Sequence, residues 1–361
     1  MTARVSIYTS SALSSGVFDA SGAAWRLTAL NYSSGLPGGY LTCRFAFLIP
    51  SSRSLVFAKA QTVVVRQGVD IVWQGAIVNI GIRRAGAGYE CEITALGPWQ
   101  DARGQTLTAT YASVTTGITI VEAALAAMAT ISTDYSLIAN PGVDLGPVTY
   151  DGPCNDVILD VLKHGDSASP PNPIYFAIWH TPQGDTLPRA QMWSRSLTNV
   201  DWRVRWAETD LQVVDSAADV FNNVTVRYNK GDAVTAAATD ATSIASTRKH
   251  TFGIESASLV AATAARDRFL AEHKEALPML QGFRLSDRCR DGGGAWRSVA
   301  YMRAGHVMLL EDYPPSGLTF MVGAVDYTDG LGQRTDEVSV TPEQLPRRSD
   351  TMLGSGGATT Q

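Results

Sequence analysis

Lysine is scarce in this chain, at five of 29 basic residues, a skew of the kind left by a GC-rich genome. Charged residues make up 17% of the sequence, the formal net charge is −5 and the pI is near 5.6. That balance excludes an electrostatic grip on nucleic acid, which needs clustered Lys and Arg to displace counterions. It leaves room for a neutral or acidic wall past which nucleic acid slides. Cysteine is also rare. Cys43, Cys91, Cys154 and Cys289 stand far apart, without the paired spacing of a zinc site or the density of a disulfide scaffold. They read as buried thiols of a protein made in a reducing cytosol. No apolar run approaches the ~20 residues that cross a bilayer. The opening MTARVSIYTSSALSSG has no charged start followed by a sustained apolar stretch, so it does not read as a secretory signal.

Catalytic groups are missing in the same way. Cys154 falls at the start of a predicted helix, where the helix dipole favours thiolate, and His164 lies ten residues on. Ten residues of helix separate them by ~15 Å, too far for a nucleophile and its base. His180, His250, His273 and His306 are scattered, and AEHKEA lacks the second histidine of a helical zinc pair. Asp326-Tyr327-Thr328-Asp329-Gly330 lacks the closing acidic ligand of a calcium loop and reads as a turn after a strand. LGSGG near Leu353 has neither a strand before it nor a helix after it, as a serine nucleophile elbow requires. No paired carboxylates stand out for glycoside cleavage. The expectation is a protein without enzymatic activity, metal or cofactor.

What the sequence does have is β-pattern. Its 361 residues exceed the usual single domain, and 45% hydrophobic content is ample for sizeable cores. In DIVWQGAIVNIGIRRAGAGYECEITALGPW, Tyr89, Cys91, Ile93 and Ala95 alternate with Glu90, Glu92 and Thr94, the period of a strand with one face buried. Ala76, Val78, Ile80 and Ile82 form the matching apolar set before the Ala85-Gly86-Ala87-Gly88 turn, so the segment predicts a β-hairpin with Ile80 and Ile82 inward and Glu90 and Glu92 outward. A phosphate-binding reading of these glycines fails because a strand, not a helix, follows them. Further strands are predicted at Arg4 to Tyr8, Trp25 to Leu30, Tyr40 to Leu48 and Gln61 to Val65.

The period then changes. Thr119-Ile120-Val121-Glu122 predicts a capping box opening a short helix with Val121, Leu125 and Met128 inward. A second helix begins near Asn155, buries Val157, Ile158, Val161 and Leu162, and ends at His164 before Gly165. Asp166 to Pro173 is a loop, Ile174 to Trp206 is β again, and Asn223 to Tyr228 is a strand. A long helix over 258–277 is capped by Ser258, carries Leu259, Ala262, Phe269, Leu270 and Leu277 as its stripe, and is stopped by Pro278. Strands return at Gly282 to Leu285, Trp296 to Met302, His306 to Leu310 and Leu318 to Tyr327, with a turn at Asp291 to Gly294. Residues 341–361 are polar and small, a flexible tail by composition. Trp179, Trp193, Trp202 and Trp206 fall in one β region; packing in a core or at a subunit interface accounts for them better than a saccharide platform.

An internal echo joins the two ends of the chain: Arg66-x-Gly68 followed by Gly75-Ala76-Ile77, and Arg303-x-Gly305 followed by Gly323-Ala324-Val325. The order of VWQGAIVNIGI, YECEITALG, two small helices, VVDSAADVFNNVTVRYN, SASLVAATAARDRFL and RAGHVMLLED with FMVGAVDYTDG resembles the tail hub proteins of tailed bacteriophages. These include the baseplate hub of contractile tails and the N-terminal hub part of siphophage tail-associated proteins. The resemblance implies a β-rich α+β chain with two tail-tube-like β-sandwich or barrel domains, each with a flanking helix, separated by smaller α/β insert domains. It places a first tube-like domain at 1–103, a middle region at 104–213 and a second tube-like domain at 214–340 containing helix 258–277.

It further implies a virion protein assembled in the host bacterial cytoplasm: a homotrimeric hub at the tail tip, with tail tube or distal tail protein above and spike or fibre below. Genomic DNA would pass through without sequence-specific binding, and no membrane anchor, cofactor or metal is implied. Glu90, Glu92, Trp193, Trp202 and Trp206 are the candidate lumen or interface residues. The competing readings are a sixfold distal tail adaptor and a cell-surface-saccharide-binding adsorption protein.

Overall fold

The computed structural model describes residues 4–9, 13, 16–19, 26–50, 57–86, 88–169, 171–180, 187–215, 220–240, 249–255, 258–274, 278–313, 317–331 and 335–343. Seven strands form the first third: β1 (Arg4–Tyr8), β2 (Gly16–Asp19), β3 (Arg26–Gly35), β4 (Gly38–Pro50), β5 (Thr62–Gln67), β6 (Asp70–Ala85) and β7 (Gly88–Leu96). They lie side by side in the order β2-β1-β5-β6-β7-β4-β3, and every pairing between neighbours is antiparallel. The predicted hairpin is present, closed at Ala85↔Gly88 with Gly86 at φ 59°.

Its register departs from strict alternation at one point. Ile77 pairs with Ala95 but Asn79 with Thr94, so Val78 bulges out and is exposed. Before the bulge Trp73, Gly75 and Ile77 are buried on the core side, with Gln74 also buried on the other side, its Oε1 2.6 Å from His180 Nε2; after the bulge Ile80 packs on the core and faces Ile93. Ala76 and Val78 are therefore not on the face of Ile80. Ile82 keeps that face, opposite Cys91, but the hairpin tip overhangs the core and leaves it 52% exposed.

The middle of the chain supplies three of the four described helices. These are α1 (Trp99–Gly104), α2 (Gly117–Ala126) and α3 (Cys154–Lys163), flanked by the ribbon Thr106–Tyr111 with Val148–Pro153 and the hairpin Ile174–Trp179 with Arg189–Ser194. Ile120, Val121, Leu125, Val157, Ile158, Val161, Phe176 and Met192 build a core of their own. The predicted capping box at Thr119 does not form. The Gly117 amide is already bonded to the Val143 carbonyl at 2.9 Å, which starts α2 three residues earlier, with Thr116 rather than Thr119 before its first turn, and the Thr116 and Thr119 hydroxyls bond each other at 2.9 Å. This unit joins the main sheet where Ile178 lies beside Gly39: a Cβ on Gly39 would sit 2.3 Å from the Ile178 carbonyl oxygen, so only glycine admits the contact.

Asn223–Tyr228, paired in parallel with Lys249–Gly253, carries α4 (Leu259–His273) on a small core of Val224, Val226, Phe252, Ala262, Ala265 and Phe269. Ser258 caps α4 by accepting the Ala261 amide at 3.4 Å, and Lys274 closes it. Leu259 is exposed rather than part of the stripe, and Leu277 lies outside the described residues, as does the polar tail beyond residue 343.

The last third returns to the main sheet. Leu318–Thr328 is one strand serving two neighbourhoods: Leu318 to Met321 pair with Val307–Leu310, while Ala324 to Thr328 lie between β3 and Glu337–Pro342. The register shift falls at Gly323. Beyond Val307–Leu310 come Trp202–Val204 and the hairpin Arg288–Asp291 with Trp296–Ser298, completing a sixteen-stranded sheet. The Arg-x-Gly echo marks turns at both ends, with Gly68 and Gly305 at positive φ. The strands after them differ, however: β6 runs uninterrupted through Gly75, whereas the second copy breaks between Leu310 and Leu318. One hydrophobic core runs through both ends of the chain, from Val5, Phe45 and Ile93 to Phe283, Phe320 and Val340.

Candidate assembly face

Within the large sheet, β6, β7, β4, β3, Leu318–Thr328, Glu337–Pro342 and Phe283–Ser286 follow one another with antiparallel pairing throughout. Alternation divides these seven strands into two faces. Inward lie Ile80, Ile93, Phe45, Tyr32, Tyr327, Val338 and Phe283, all in or against the main core. Outward lie Asn79, Glu90, Glu92, Thr94, Arg44, Asn31, Asp326, Thr328, Glu337 and Arg284. A polar row, Asn79-Thr94-Arg44-Asn31-Thr328-Glu337, thus runs from the first hairpin to the last strands, with Ala46 and Leu48 the apolar residues beside it on β4.

Its charge is close to balanced. Glu90 is half-buried, paired with Arg83 across the hairpin, and accepts from the Thr28 hydroxyl at 3.4 Å. Glu337 pairs with Arg284 at 3.1 Å. Glu92, Asp326 and Arg44 are each exposed. The Ser33 and Thr42 hydroxyls bond each other at 2.8 Å, a part-buried polar pair between β3 and β4 on this face. The face has acceptors and donors in mixture and no concentrated field of either sign.

The tryptophans take a different place. Trp202 is 2% exposed, and its indole N–H donates to His306 Nδ1 at 2.9 Å. The Arg303 amide donates to the same nitrogen at 3.2 Å, so His306 carries its proton on Nε2. Burial, then the positive charge of Arg303 and Arg297, holds its imidazole well below the ordinary histidine range. Trp202 therefore offers no surface for a lumen or an interface. Trp179 is buried under the Arg303 guanidinium, 4.4 Å from its ring, and Trp193 leans on Trp179 and Tyr175. Trp206 is half-buried, edge-on to Tyr313, with its N–H on the Leu211 carbonyl at 3.2 Å. Rings used in this way do not make the coplanar exposed platform that saccharide stacking needs. Among the described residues the exposed tryptophan is Trp296, which sequence reading passed over; its position after a Gly-Gly-Gly turn was the available signal.

The remaining candidates for chemistry are structural. Cys154 is buried at the first turn of α3 and burial pushes its thiol up, so the dipole does not make it a thiolate. His164 is buried at the other end of α3, with Nδ1 against the Ala261 carbonyl at 3.0 Å, which ties α3 to α4. Asp329 accepts the Leu331 amide at 2.6 Å in an ordinary turn. Among the described residues no group of His, Cys, Asp or Glu is arranged to hold a metal ion, and no helix is long and apolar enough to cross a membrane.

No protein-family profile matches the sequence, and no curated protein matches it either. The fold does have relatives among solved structures. A tail protein from Neisseria meningitidis superposes with a TM-score of 0.62 at 13% identity, covering 95% of this chain and 97% of that one. A 43 kDa tail protein of prophage MuSo2 from Shewanella oneidensis gives 0.59 at 10% identity, covering 94% and 98%. An E. coli component of the type VI secretion system, itself structurally similar to the T4 bacteriophage tail proteins gp27 and gp5, gives 0.52 at 10% identity, covering 90% and 76%. The chain has the β-rich, tail-tube-like fold of hub-type phage tail proteins. The β-rich, tail-tube-like fold class expected from the order of its segments is the one observed.

Proposed function

We propose that this chain is a structural virion protein, a homotrimeric hub at the distal end of a phage tail that joins the sixfold tube to a threefold spike or fibre. The observation that carries this reading is likeness over the whole chain, not one domain, to phage tail proteins. In this reading the divisions at 1–103, 104–213 and 214–340 are the two tube-like domains and the insert between them, and assembly takes place in the host cytoplasm. The polar face of the seven antiparallel strands is the wall of the DNA passage, with Glu90 and Glu92 on it and Trp193 and Trp206 near subunit contacts. At ~4.8 Å per strand, three copies of seven strands give a circumference of roughly 100 Å and a diameter of about 32 Å, broad enough for a duplex. A wall with paired and balanced charge gives phosphate nothing to hold, because retention needs a local excess of Lys and Arg. The protein acts by shape and has no enzymatic role.

Labelled virions viewed by electron microscopy test the reading, together with mass photometry of the purified chain or its complex with a tail neighbour. Label at the distal tip and three copies are expected. Six copies support the sixfold adaptor instead, and label elsewhere defeats both. Reproducible peptidoglycan cleavage by the purified chain, abolished by one acidic substitution, would overturn the non-enzymatic part.

A further inference from the structure

Charge is segregated along this chain to a degree its overall balance conceals. Residues 104–170 hold seven Asp and Glu against one Lys and no Arg, a net of −6, while the whole chain is −5, so the remainder is net +1. In the folded unit Glu122, Asp144, Asp151 and Asp156 are exposed or half-buried and form no ion pair among the described residues.

The opposite arrangement stands at the far end of the large sheet. The hairpin Arg288–Asp291 with Trp296–Ser298 ends the strand order, so among the described residues one backbone edge of Trp296–Ser298 has no strand beside it. Arg288, Arg290 and Arg297 form no ion pair among the described residues. Two of them lie on aromatic rings: Arg290 is 5.4 Å from the Trp296 ring centre and Arg297 is 4.2 Å from that of Tyr301. Stacking fixes a guanidinium and leaves its N–H edge free for a carboxylate. Register places Trp296, Arg290 and Arg203 in one row across three strands, with Arg288 beside them on the same face. Trp296 is 60% exposed. An exposed Trp set among arginines is the composition of an interface centre.

We infer that the Arg288/Arg290/Trp296 face receives the acidic 104–170 unit of a second copy of this chain. The two surfaces are different parts of one protomer, so the contact is heterologous and repeats head to tail until the ring closes. The inference rests on the trimeric reading above and adds to it the surfaces that make the contact. The acidic unit hangs from β4 through Ile174–Trp179, whereas the arginine hairpin ends the strand order on the other side of Leu318–Thr328, so each protomer presents both.

The test uses the full chain in four forms: wild type, Arg288→Glu with Arg290→Glu, Asp144→Arg with Asp151→Arg, and all four substitutions together. Mass photometry and sedimentation read the copy number, and thermal melts confirm folding. Each double variant is expected to need at least tenfold more protein to trimerise, and the fourfold variant to recover trimers because its charges are exchanged rather than lost. Wild-type trimers are expected to dissociate in about 1 M salt, where the screening length is roughly 3 Å. Trimers that withstand both the double substitutions and salt would overturn this contact and leave the hub reading standing. A wild-type chain that never forms trimers, alone or with tail neighbours, would overturn both. If the arginine variant does not fold, the salt titration of the wild type decides alone. Binding of an acidic polymer such as DNA with unchanged trimers would assign the arginine face to a polyanion and refute the inference.

Discussion

Ile80→Asp and Ile82→Asp place the same carboxylate two residues apart on one face of β6, and the fold assigns them unequal costs. Ile80 is partly buried against the main core and directly opposite Ile93, which is fully buried. Complete burial of an isoleucine side chain stabilises by about 1.5–3 kcal/mol, so its partial burial is worth about 1 kcal/mol. A carboxylate left there without a donor adds about 2 kcal/mol more. The sum, about 3 kcal/mol, corresponds to a fall in Tm of roughly 6–10 °C for a unit of this size. Ile82 already lies half in water at the hairpin tip, and its replacement is expected to cost under about 1 kcal/mol. Thermal melts followed by near-UV circular dichroism, with urea titration as a second measure, separate the two. Equal losses at both positions, or a larger loss at Ile82, would refute the register built on the Val78 bulge.

Gly75→Ala is expected to destabilise by several kcal/mol in order of magnitude, because its Cβ would stand 2.1 Å from the Leu96 carbonyl oxygen, whereas Gly86→Ala meets no neighbour and should cost about 1 kcal/mol for its positive φ; comparative melts check both. Stability should fall with acid through His164 and His306. Burial lowers both folded-state values below the ordinary 6.5, so the unfolded chain binds these protons first. Their contribution is complete above pH 6.5 and is lost as pH falls below it, by at most about 1.4 kcal/mol per pH unit for each; a flat urea midpoint from pH 7 to 5 would contradict this. His306→Asn, which keeps an acceptor for Trp202, should flatten part of that slope. All four cysteines are buried, with Cys91 pushed up to about 11 and Cys289 to about 12, so thiol reagents should label them only at the rate of unfolding. Rapid labelling of the native chain would show the burial to be wrong.

Local pattern made much of this architecture legible. Arg4–Tyr8 and Asn223–Tyr228 read correctly to the residue because alternation and flanking turns define them without help from the rest of the chain. The α3 helix read within one residue for the same reason, with apolar spacing, a terminal Lys-His and Gly165 agreeing. The site was less legible because it is made of register between distant strands. Nothing near Asn31 says that it lies opposite Thr328, and the Val78 bulge depends on how β6 meets β7. Trp202 looked available because tryptophan suits surfaces and cores alike; its burial follows from the strand Val307–Leu310 beside it, more than a hundred residues away.

The strand Leu318–Thr328 also sets a timetable for synthesis. It is the neighbour that β3 waits for, and nearly three hundred residues separate the two. A chain emerging from the ribosome therefore carries β3 with a bare edge and half a core until almost its last strands are made. Closure of so long a loop is slow, and an uncovered edge invites pairing with other nascent chains. Such a sheet is completed only once Leu318–Thr328 has been made, and chains cut short before Leu318 are the ones expected in aggregates.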